Sequence, residues 1–455
     1  MEATEVVLES LSTSSRSPSM DEPDHLSSED QPLLPDEERT CDSLSTYDTY
    51  ESSGGEEEVV ASGSSWAAYI NITCVVAGTG ILGLPYSIKQ SGWIGLIFLF
   101  LCACPWIVLL ILFTFRKTRL SSYADIGFHA FGNFGKYFLI GIFNNAILLG
   151  VPVLFFILAG QSLDNIVEQI WDIKLGVRVW TQISAVFVAL PFIFTKTLKE
   201  VVVLSVFGAV TTFFTVIAIV ILSFADLSNV ISTPNPPSHN ILVISELPVA
   251  LASISFSFGG NSVFPHIEEN MKNKQNWNTV VGLALATCAI MYALVAFAGY
   301  YVYGDNTMSP IFLNLPKGPV LTIASLFMTM HVLMTAPILL TSFAYDAEKH
   351  MKITYEYLSP WAEFALRALF RTCLIAACTS IAVFVPFFGD FMALLGALST
   401  CAIVFILPVV FYLKLIGFKN ISILGLLWNL FVVVVGIIGC VIGTADAVSA
   451  LLKDF

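Results

Sequence analysis

Two titratable side chains, His331 and Glu246, lie within or at the start of long apolar segments of the sequence. If these segments cross a bilayer, each titratable group is costly there and is a candidate functional residue. The imidazole of His331, whose pKa is ordinarily about 6.5, could exchange protons across a pH gradient. The alternative is a neutral histidine that hydrogen-bonds to a carbonyl of a neighbouring helix. Glu246 could admit protons, or its side chain could reach out to water.

Two apolar segments are interrupted by clusters of glycine and proline. Residues 78–85 read GTGILGLP and residues 259–265 read GGNSVFP. Glycine and proline weaken a helix by about 1 and 3 kcal/mol respectively, so both clusters favour local unwinding. A membrane tolerates unwound backbone only where it faces protein or a wet cavity. The alternative is that the glycines only let helices pack closely. The candidate binding residues lie at and beside the two breaks: Gly78, Thr79, Gly80, Ile81, Ser255, Ser257, Gly259, Gly260 and Asn261.

Breaks of this kind expose backbone groups that can bind charged ligands. The helix that starts after Gly80 would present free N–H groups and the positive end of its dipole to an anion such as a carboxylate. Carbonyl groups exposed at the second break could bind an ammonium group. One site with both features suits a zwitterion such as an amino acid.

The composition indicates that these segments lie in a lipid bilayer. The chain is 56% hydrophobic and 12% charged, with a mean hydropathy of +0.79. Soluble proteins carry about 25% charged residues, and windows of about 20 uncharged residues, the length of a membrane-spanning helix, recur along this chain. Soluble enzymes and nucleic-acid binders are therefore excluded. No GxSxG, HExxH, P-loop or CxxC motif indicates an enzyme, a metal site or a cofactor.

We predict an all-α polytopic membrane protein with eleven transmembrane helices. The apolar windows place them at 66–89, 92–115, 136–163, 179–196, 200–226, 242–266, 276–304, 318–344, 365–386, 388–413 and 423–449. The breaks fall in the first and sixth helices, which predicts that helices 1–5 and 6–10 form two inverted repeats around a central site, with helix 11 peripheral. Residues 119–135 are amphipathic and predict a short helix on the membrane surface.

Loop charges predict the orientation of the chain in the membrane. Loops on the side of the N-terminus carry fourteen Lys and Arg residues, whereas the opposite loops carry five. Because positively charged loops stay in the cytosol, we expect a cytosolic N-terminus and a C-terminus in a lumen or outside the cell.

Residues 1–65 form an acidic tail that precedes the transmembrane domain at 66–450. The tail holds 17 Asp and Glu residues against two Arg, and it has too few aromatic residues to bury a core, so we expect disorder. Within the tail, Glu29 precedes Leu33 and Leu34 with the E-x-x-x-L-L spacing of an acidic dileucine signal. Such a signal is read by a clathrin adaptor, although so short a pattern also arises by chance.

Three motifs in the chain resemble those of the amino acid/auxin permease family. They read GTGILGLPYSIKQSGW at 78–93, YADIGFHAFG at 123–132 and FGGNSVFPHIEENM at 258–271. The resemblance covers about residues 64–450 and implies the LeuT-like fold of the APC superfamily, with amino acids as the substrate class. Within that family the chain is most similar to the vacuolar and vesicular amino acid transporters, which are usually driven by protons.

The resemblance also bears on the coupling ion. Glu269 aligns with an acidic position of the family and is our first candidate for a gating or proton-linked carboxylate; a solvated helix cap beside Lys272 and Lys274 is the alternative. Sodium-coupled relatives carry Asn where this chain has Cys74, and a thiol is a poor ligand for a hard cation. Asn71 could partly substitute, so protons are favoured and sodium stays open.

The sequence therefore predicts a secondary active transporter of neutral amino acids in the vacuolar or lysosomal membrane, driven by a proton gradient. One alternative is a plasma-membrane symporter of the same fold, coupled to protons or sodium. Another is a nutrient sensor that binds amino acids and signals through its acidic tail.

Overall fold

The computed structural model describes residues 64–102, 123–194, 201–260, 264–269, 271–353, 357, 359–417 and 421–454. Contacts divide the chain into two units, residues 1–58 and 59–455, and every described residue belongs to the second unit. The sorting motif of Glu29, Leu33 and Leu34 lies outside the described residues.

The described part of the chain is a bundle of helices. We number its α-helices α1 Ser65–Val76, α2 Leu84–Ser91, α3 Ile94–Cys102, α4 Tyr123–Asn133, α5 Gly141–Trp171, α6 Val177–Phe194, α7 Val201–Ile231, α8 Leu247–Ser257, α9 Phe264–Glu269, α10 Trp277–Tyr303, α11 Pro319–His350, α12 Pro360–Phe384, α13 Phe388–Leu395, α14 Leu407–Ile416 and α15 Ile423–Asp454. Short 3₁₀ turns lie at Thr79–Leu82, Lys274–Asn276, Gly304–Asn306 and Ile311–Leu313, and π-helical turns at Phe134–Ile140, Gly396–Thr400 and Ala402–Ile406.

Eight helical stretches among the described residues are long and apolar enough to cross a membrane. They are Ala124–Trp171, Val177–Phe194, Val206–Ile231, Lys274–Asn306, Pro319–His350, Pro360–Phe384, Phe388–Ile416 and Ile423–Lys453. The other three predicted spans are the first and sixth, which are each divided, and the second, which is described only as far as Cys102. The all-α membrane architecture is confirmed, and the count of eleven spans stays a prediction.

Both predicted breaks are present. In the first span α1 ends at Val76 and α2 begins at Leu84. In the sixth span α8 ends at Ser257 and α9 begins at Phe264. Pro85 lies in the first turn of α2, where its missing N–H costs no hydrogen bond.

The prediction that the sixth span begins at residue 242 is wrong, because α8 begins at Leu247. Backbone groups of the loop before α8 form hydrogen bonds with the backbone around the turn between α2 and α3. Asn240 and Ile241 accept hydrogen bonds from the backbone N–H groups of that turn, at 3.1 and 3.2 Å. The N–H of Val243 donates to the carbonyl of Ser91 at 3.1 Å. These contacts replace the helical bonds that the apolar pattern predicts.

The amphipathic segment forms α4, which a π-helical turn joins to α5. The backbone leaves helical geometry at Phe131 and at Gly132, whose φ of 63° suits glycine. Phe128 and Phe131 are exposed, as expected of an amphipathic helix at a membrane surface.

The predicted tenth span is less regular than expected. Two π-helical turns, Gly396–Thr400 and Ala402–Ile406, separate α13 from α14. A π-helical turn holds one more residue than an α-helical turn, and such turns often lie at functional sites.

The core lies around α1, α5, α8 and α10, and the outer helices expose apolar side chains. Tyr292 and Trp277 of α10 are fully buried, as is Phe156 of α5. On α6, by contrast, Val186 and Phe187 are exposed, as suits a face toward lipid. Along α15, Gly436, Gly439 and Gly443 form the face that packs on the bundle, while most of the helix is exposed.

Candidate functional site

The two breaks pack directly against each other. A Cβ added at Gly80 would lie 2.6 Å from Oγ and 2.9 Å from Cα of Ser257 at the end of α8. A Cβ added at Gly260 would lie 3.0 Å from a methyl group of Val76 and 3.1 Å from one of Val75, both at the end of α1. Glycine at these two positions therefore allows the backbones of the first and sixth spans to touch.

The first break contains backbone N–H groups that have no acceptor within the helical turn that they begin. The 3₁₀ turn Thr79–Leu82 follows α1 and leads into α2, and the side chains of Thr79 and Ile81 are buried. The first N–H groups of a helical turn have no acceptor within it, and at this break they belong to Thr79 and Gly80. A Cβ added at Gly78 would meet no atom within 4 Å, so this glycine borders open space.

The last carbonyl groups of α1 and α8 converge on one side chain of α10. The hydroxyl of Tyr292 lies 2.5 Å from the carbonyl oxygen of Val76 and 2.6 Å from that of Ser257. Its ring meets Phe258 edge to face, with 5.1 Å between the centroids. Because helix C-termini carry partial negative charge, the two carbonyls create a place that favours a positive group.

The serine side chains near the sixth break donate to their own helix. The hydroxyl of Ser255 donates to the carbonyl of Leu251 at 2.6 Å, and that of Ser257 to Ser253 at 3.4 Å. Gly259 faces the irregular tenth span, where an added Cβ would lie 3.2 Å from the methyl group of Thr400. The tenth span therefore forms one wall of the site.

His331 is buried on α11 in a space that Gly208 of α7 leaves open. A Cβ added at Gly208 would lie 2.5 Å from Cε1 of His331 and 2.6 Å from Sγ of Cys74. The imidazole thus lies beside α1, α7 and α11, just behind the first break. Within the described chain no hydrogen bond joins the imidazole to another residue, and both interpretations of His331 stay predictions.

The carbonyl of Ala77, which follows α1, has a donor of its own. The hydroxyl of Thr212 on α7 lies 3.1 Å from this oxygen and 2.8 Å from the carbonyl of Gly208. The region behind the first break therefore contains an imidazole, a thiol and a hydroxyl.

The structure does not bring Glu246 to the breaks. This residue is exposed just before α8, whose eleven residues separate it from the break at Ser257. Asn261 and the side chain of Glu269 lie outside the described residues.

Sequence reasoning missed Tyr292, Thr400, Thr212 and Gly208. Each lies in an apolar run without a local break, where a lone hydroxyl or glycine is ordinary in a transmembrane helix. The sequence gives one weak signal for Tyr292: a tyrosine within an apolar helix needs a hydrogen-bond partner for its hydroxyl.

The fold and the paired breaks are those of the LeuT-like class of membrane proteins. A nucleobase-cation-symport-1 family transporter, Mhp1, in a closed conformation with bromovinylhydantoin bound, matches the fold with a TM-score of 0.52 at 14% identity, over 87% of this chain and 94% of Mhp1. A manganese transporter from Eremococcus coleocola matches with a TM-score of 0.53 at 11% identity, over 86% of this chain and 88% of that transporter. The LeuT-like fold is confirmed.

The chain belongs to the family described as transmembrane amino acid transporter protein, whose model matches residues 61–449. It is 28% identical over 396 residues to the amino acid transporter AVT1J of Arabidopsis thaliana, covering 84% of this chain and 89% of that relative. It is also 28% identical over 416 residues to the amino acid transporter AVT1I of the same plant, covering 87% and 98% respectively. The family predicted from the motifs is confirmed, and its members are transporters, not enzymes.

Proposed function

We propose that the protein moves neutral amino acids across the vacuolar or lysosomal membrane and uses a proton gradient to drive them. Its N-terminus lies in the cytosol and its C-terminus in the lumen. Alternating access comes from rocking of one repeat against the other around the two breaks.

One observation carries the proposal: the backbones of the two breaks pack against each other, and the carbonyls that end α1 and α8 meet at one hydroxyl. The N–H groups of Thr79 and Gly80 suit the carboxylate of an amino acid, because they begin the 3₁₀ turn Thr79–Leu82 and have no acceptor within it. The carbonyls of Val76 and Ser257 suit its ammonium group, and both lie within 2.6 Å of one point, the hydroxyl oxygen of Tyr292. The side chains named at the breaks carry no formal charge, which favours a neutral amino acid.

Proton coupling is supported by the groups behind the first break. A sodium ion needs several oxygen ligands, but Cys74 brings a thiol and the Ala77 carbonyl accepts a hydrogen bond from Thr212. His331 adds a titratable imidazole beside the first break. Protonation of His331 would place a positive charge next to the C-terminal end of α1. This charge would change the equilibrium between the two states of alternating access, each open to one side of the membrane.

The membrane and the orientation rest on the chain's charges and its tail. The excess of Lys and Arg in the loops on the N-terminal side supports a cytosolic N-terminus. The dileucine pattern of Glu29, Leu33 and Leu34 supports delivery to the vacuole or lysosome by a clathrin adaptor.

A sensor is the second candidate, and the long acidic tail is the feature that favours it. Such a sensor would bind an amino acid and change the tail's affinity for a partner, with little flux. A plasma-membrane symporter would share the site and differ in location and coupling ion.

The test is uptake of a panel of labelled amino acids into proteoliposomes that contain the purified full chain, with and without a pH gradient. We expect the gradient to raise uptake of one or more neutral amino acids. Saturable binding without flux would favour the sensor, and uptake that follows sodium would favour the symporter.

A further inference from the structure

The hydroxyl of Tyr292 lies where the proposed function needs a substrate's ammonium group. Its oxygen is 2.5 Å from the carbonyl oxygen of Val76 and 2.6 Å from that of Ser257, and the side chain is fully buried. An ammonium nitrogen that bonded to both carbonyls would sit at about 2.8 Å from each. The two groups would therefore compete for the same two carbonyl oxygens.

The donor count distinguishes the two groups. A phenol has a single O–H, so Tyr292 can donate to only one of the two carbonyls at a time. An ammonium group has several N–H donors and a positive charge, so it can satisfy both carbonyls at once and also the negative ends of both helices. The carbonyl of Val76 also accepts from the N–H of Gly78 at 2.8 Å, which leaves Ser257 with the greater need of a donor.

We propose that Tyr292 replaces the substrate's ammonium group in the carrier that holds no amino acid. Its single O–H then donates to the carbonyl of Val76 or to that of Ser257, which keeps the ends of α1 and α8 close together, so that the site can close while it is empty of substrate. An arriving amino acid displaces the hydroxyl from the two carbonyls. This inference rests on the proposed function, because it assumes that the breaks bind an amino acid.

The proposed role of Tyr292 predicts different effects on net transport and on exchange, whereas a purely structural role predicts the same effect on both. Net transport of an amino acid requires the carrier to cross once without it, whether protons move with or against the substrate. Exchange of labelled for unlabelled amino acid never uses that step. A residue that closes the substrate-free site therefore affects net transport and leaves exchange intact.

The test compares net uptake with exchange in proteoliposomes that contain the full chain, using a labelled amino acid that the wild-type protein carries. Tyr292→Phe removes the O–H and keeps the ring. We expect net uptake to fall about tenfold and exchange to stay within about twofold, because the carbonyl of Ser257 loses this donor only in the substrate-free state. The half-saturating concentration for exchange should stay the same or fall, because the substrate no longer displaces a hydroxyl.

Tyr69→Phe is the matched control. The hydroxyl of Tyr69 also joins α1 to α10, through Thr287 at 2.9 Å, but it lies away from the helix ends at the breaks. Both modes of transport should be unchanged in this variant.

An equal loss of net uptake and exchange in Tyr292→Phe would overturn the inference, and so would unchanged net uptake. A wild-type protein that carries no amino acid in either mode would overturn the proposed function itself, which separates the two failures. If Tyr292→Phe does not reach the membrane, 3,5-difluorotyrosine at this position supplies a stronger O–H donor on the same ring. The half-saturating concentration should then rise, and an unchanged value would overturn the inference.

Discussion

Glycine at positions 80 and 208 determines how closely the helices around the breaks can pack. Gly80 lets the first break touch Ser257, and Gly208 leaves room for His331 beside Cys74. In both places the missing side chain brings polar groups of different helices together. Single residues therefore decide both the shape of the site and the position of its titratable group.

Gly80→Ala should reduce transport about tenfold, because the new methyl group forces the two breaks apart at a cost of about 1–3 kcal/mol. Uptake into proteoliposomes measures the change. Gly282→Ala is the matched control, since a Cβ there would meet no atom within 4 Å, and its uptake should equal that of the wild type. Normal uptake by both variants would contradict the assignment of the site to the breaks.

His331→Gln should flatten the dependence of uptake on pH. The amide keeps a polar side chain of similar size but cannot take up a proton, so uptake driven by a pH gradient should fall about tenfold, equal to a coupling energy of roughly 1.4 kcal/mol. Uptake measured from pH 5 to pH 8 would record the profile.

Gly208→Ala provides the comparison for that profile. Its methyl group would displace the His331 ring without removing it, so the rate should fall while the shape of the pH profile remains. A wild-type pH profile in His331→Gln would show that another group binds the coupling proton.

At the scale of elements, a buried ion pair connects three helices, α6, α11 and α12. Arg371 of α12 donates two hydrogen bonds to Glu348 of α11, at 2.7 and 3.2 Å. It also donates to the carbonyl of Phe192 of α6 at 2.8 Å, and its guanidinium lies 5.3 Å from the centre of that ring. Both charged side chains are buried, so neither can exchange its partner for water.

Glu348→Gln should destabilise the protein strongly, because the buried Arg371 loses the charge of the carboxylate that it contacts at 2.7 Å, at a cost of about 3–5 kcal/mol. Thermal unfolding in detergent would report the loss as a lower Tm. Lys174→Ala removes an exposed partner of Glu168 and should change the Tm little. A Tm near that of the wild type for Glu348→Gln would show that the buried pair does not stabilise the bundle.

The sequence predicted those elements whose cause is local. The breaks follow from glycine and proline within a few residues, and the long helices follow from unbroken apolar runs. The start of α8, the π-helical turns of the tenth span and the site of His331 depend on segments distant in the chain. The loop before α8 bonds to the turn after α2, and His331 occupies a space that Gly208 leaves open. Such contacts cannot be predicted from the composition or the spacing of residues in the sequence. Tyr292 was missed for the same reason, since its two partners lie on other helices.

At the scale of the whole molecule, we propose separate roles for the transmembrane domain and the tail. The domain carries the proposed transport site, while the tail carries the proposed address. The family model matches residues 61–449 and so covers the domain.

Leu33→Ala combined with Leu34→Ala should move the protein from the vacuolar or lysosomal membrane toward the plasma membrane, because the pair would no longer fill the adaptor's pocket. Fluorescence microscopy of the tagged chain in cells measures the change. Uptake by the purified variant should equal that of the wild type, since the proposed transport site is formed by residues of the two breaks. An unchanged location would show that the dileucine pattern is incidental.

Coupling between amino acid and proton movement tests the central claim most directly. Proteoliposomes that contain the purified protein and a pH-sensitive dye are given a neutral amino acid on one side only, with no initial pH gradient. The proposed mechanism predicts a pH change that requires the amino acid, saturates with its concentration and disappears in Gly80→Leu. Amino acid flux without any pH change would contradict proton coupling, and a pH change that persists in Gly80→Leu would contradict the site.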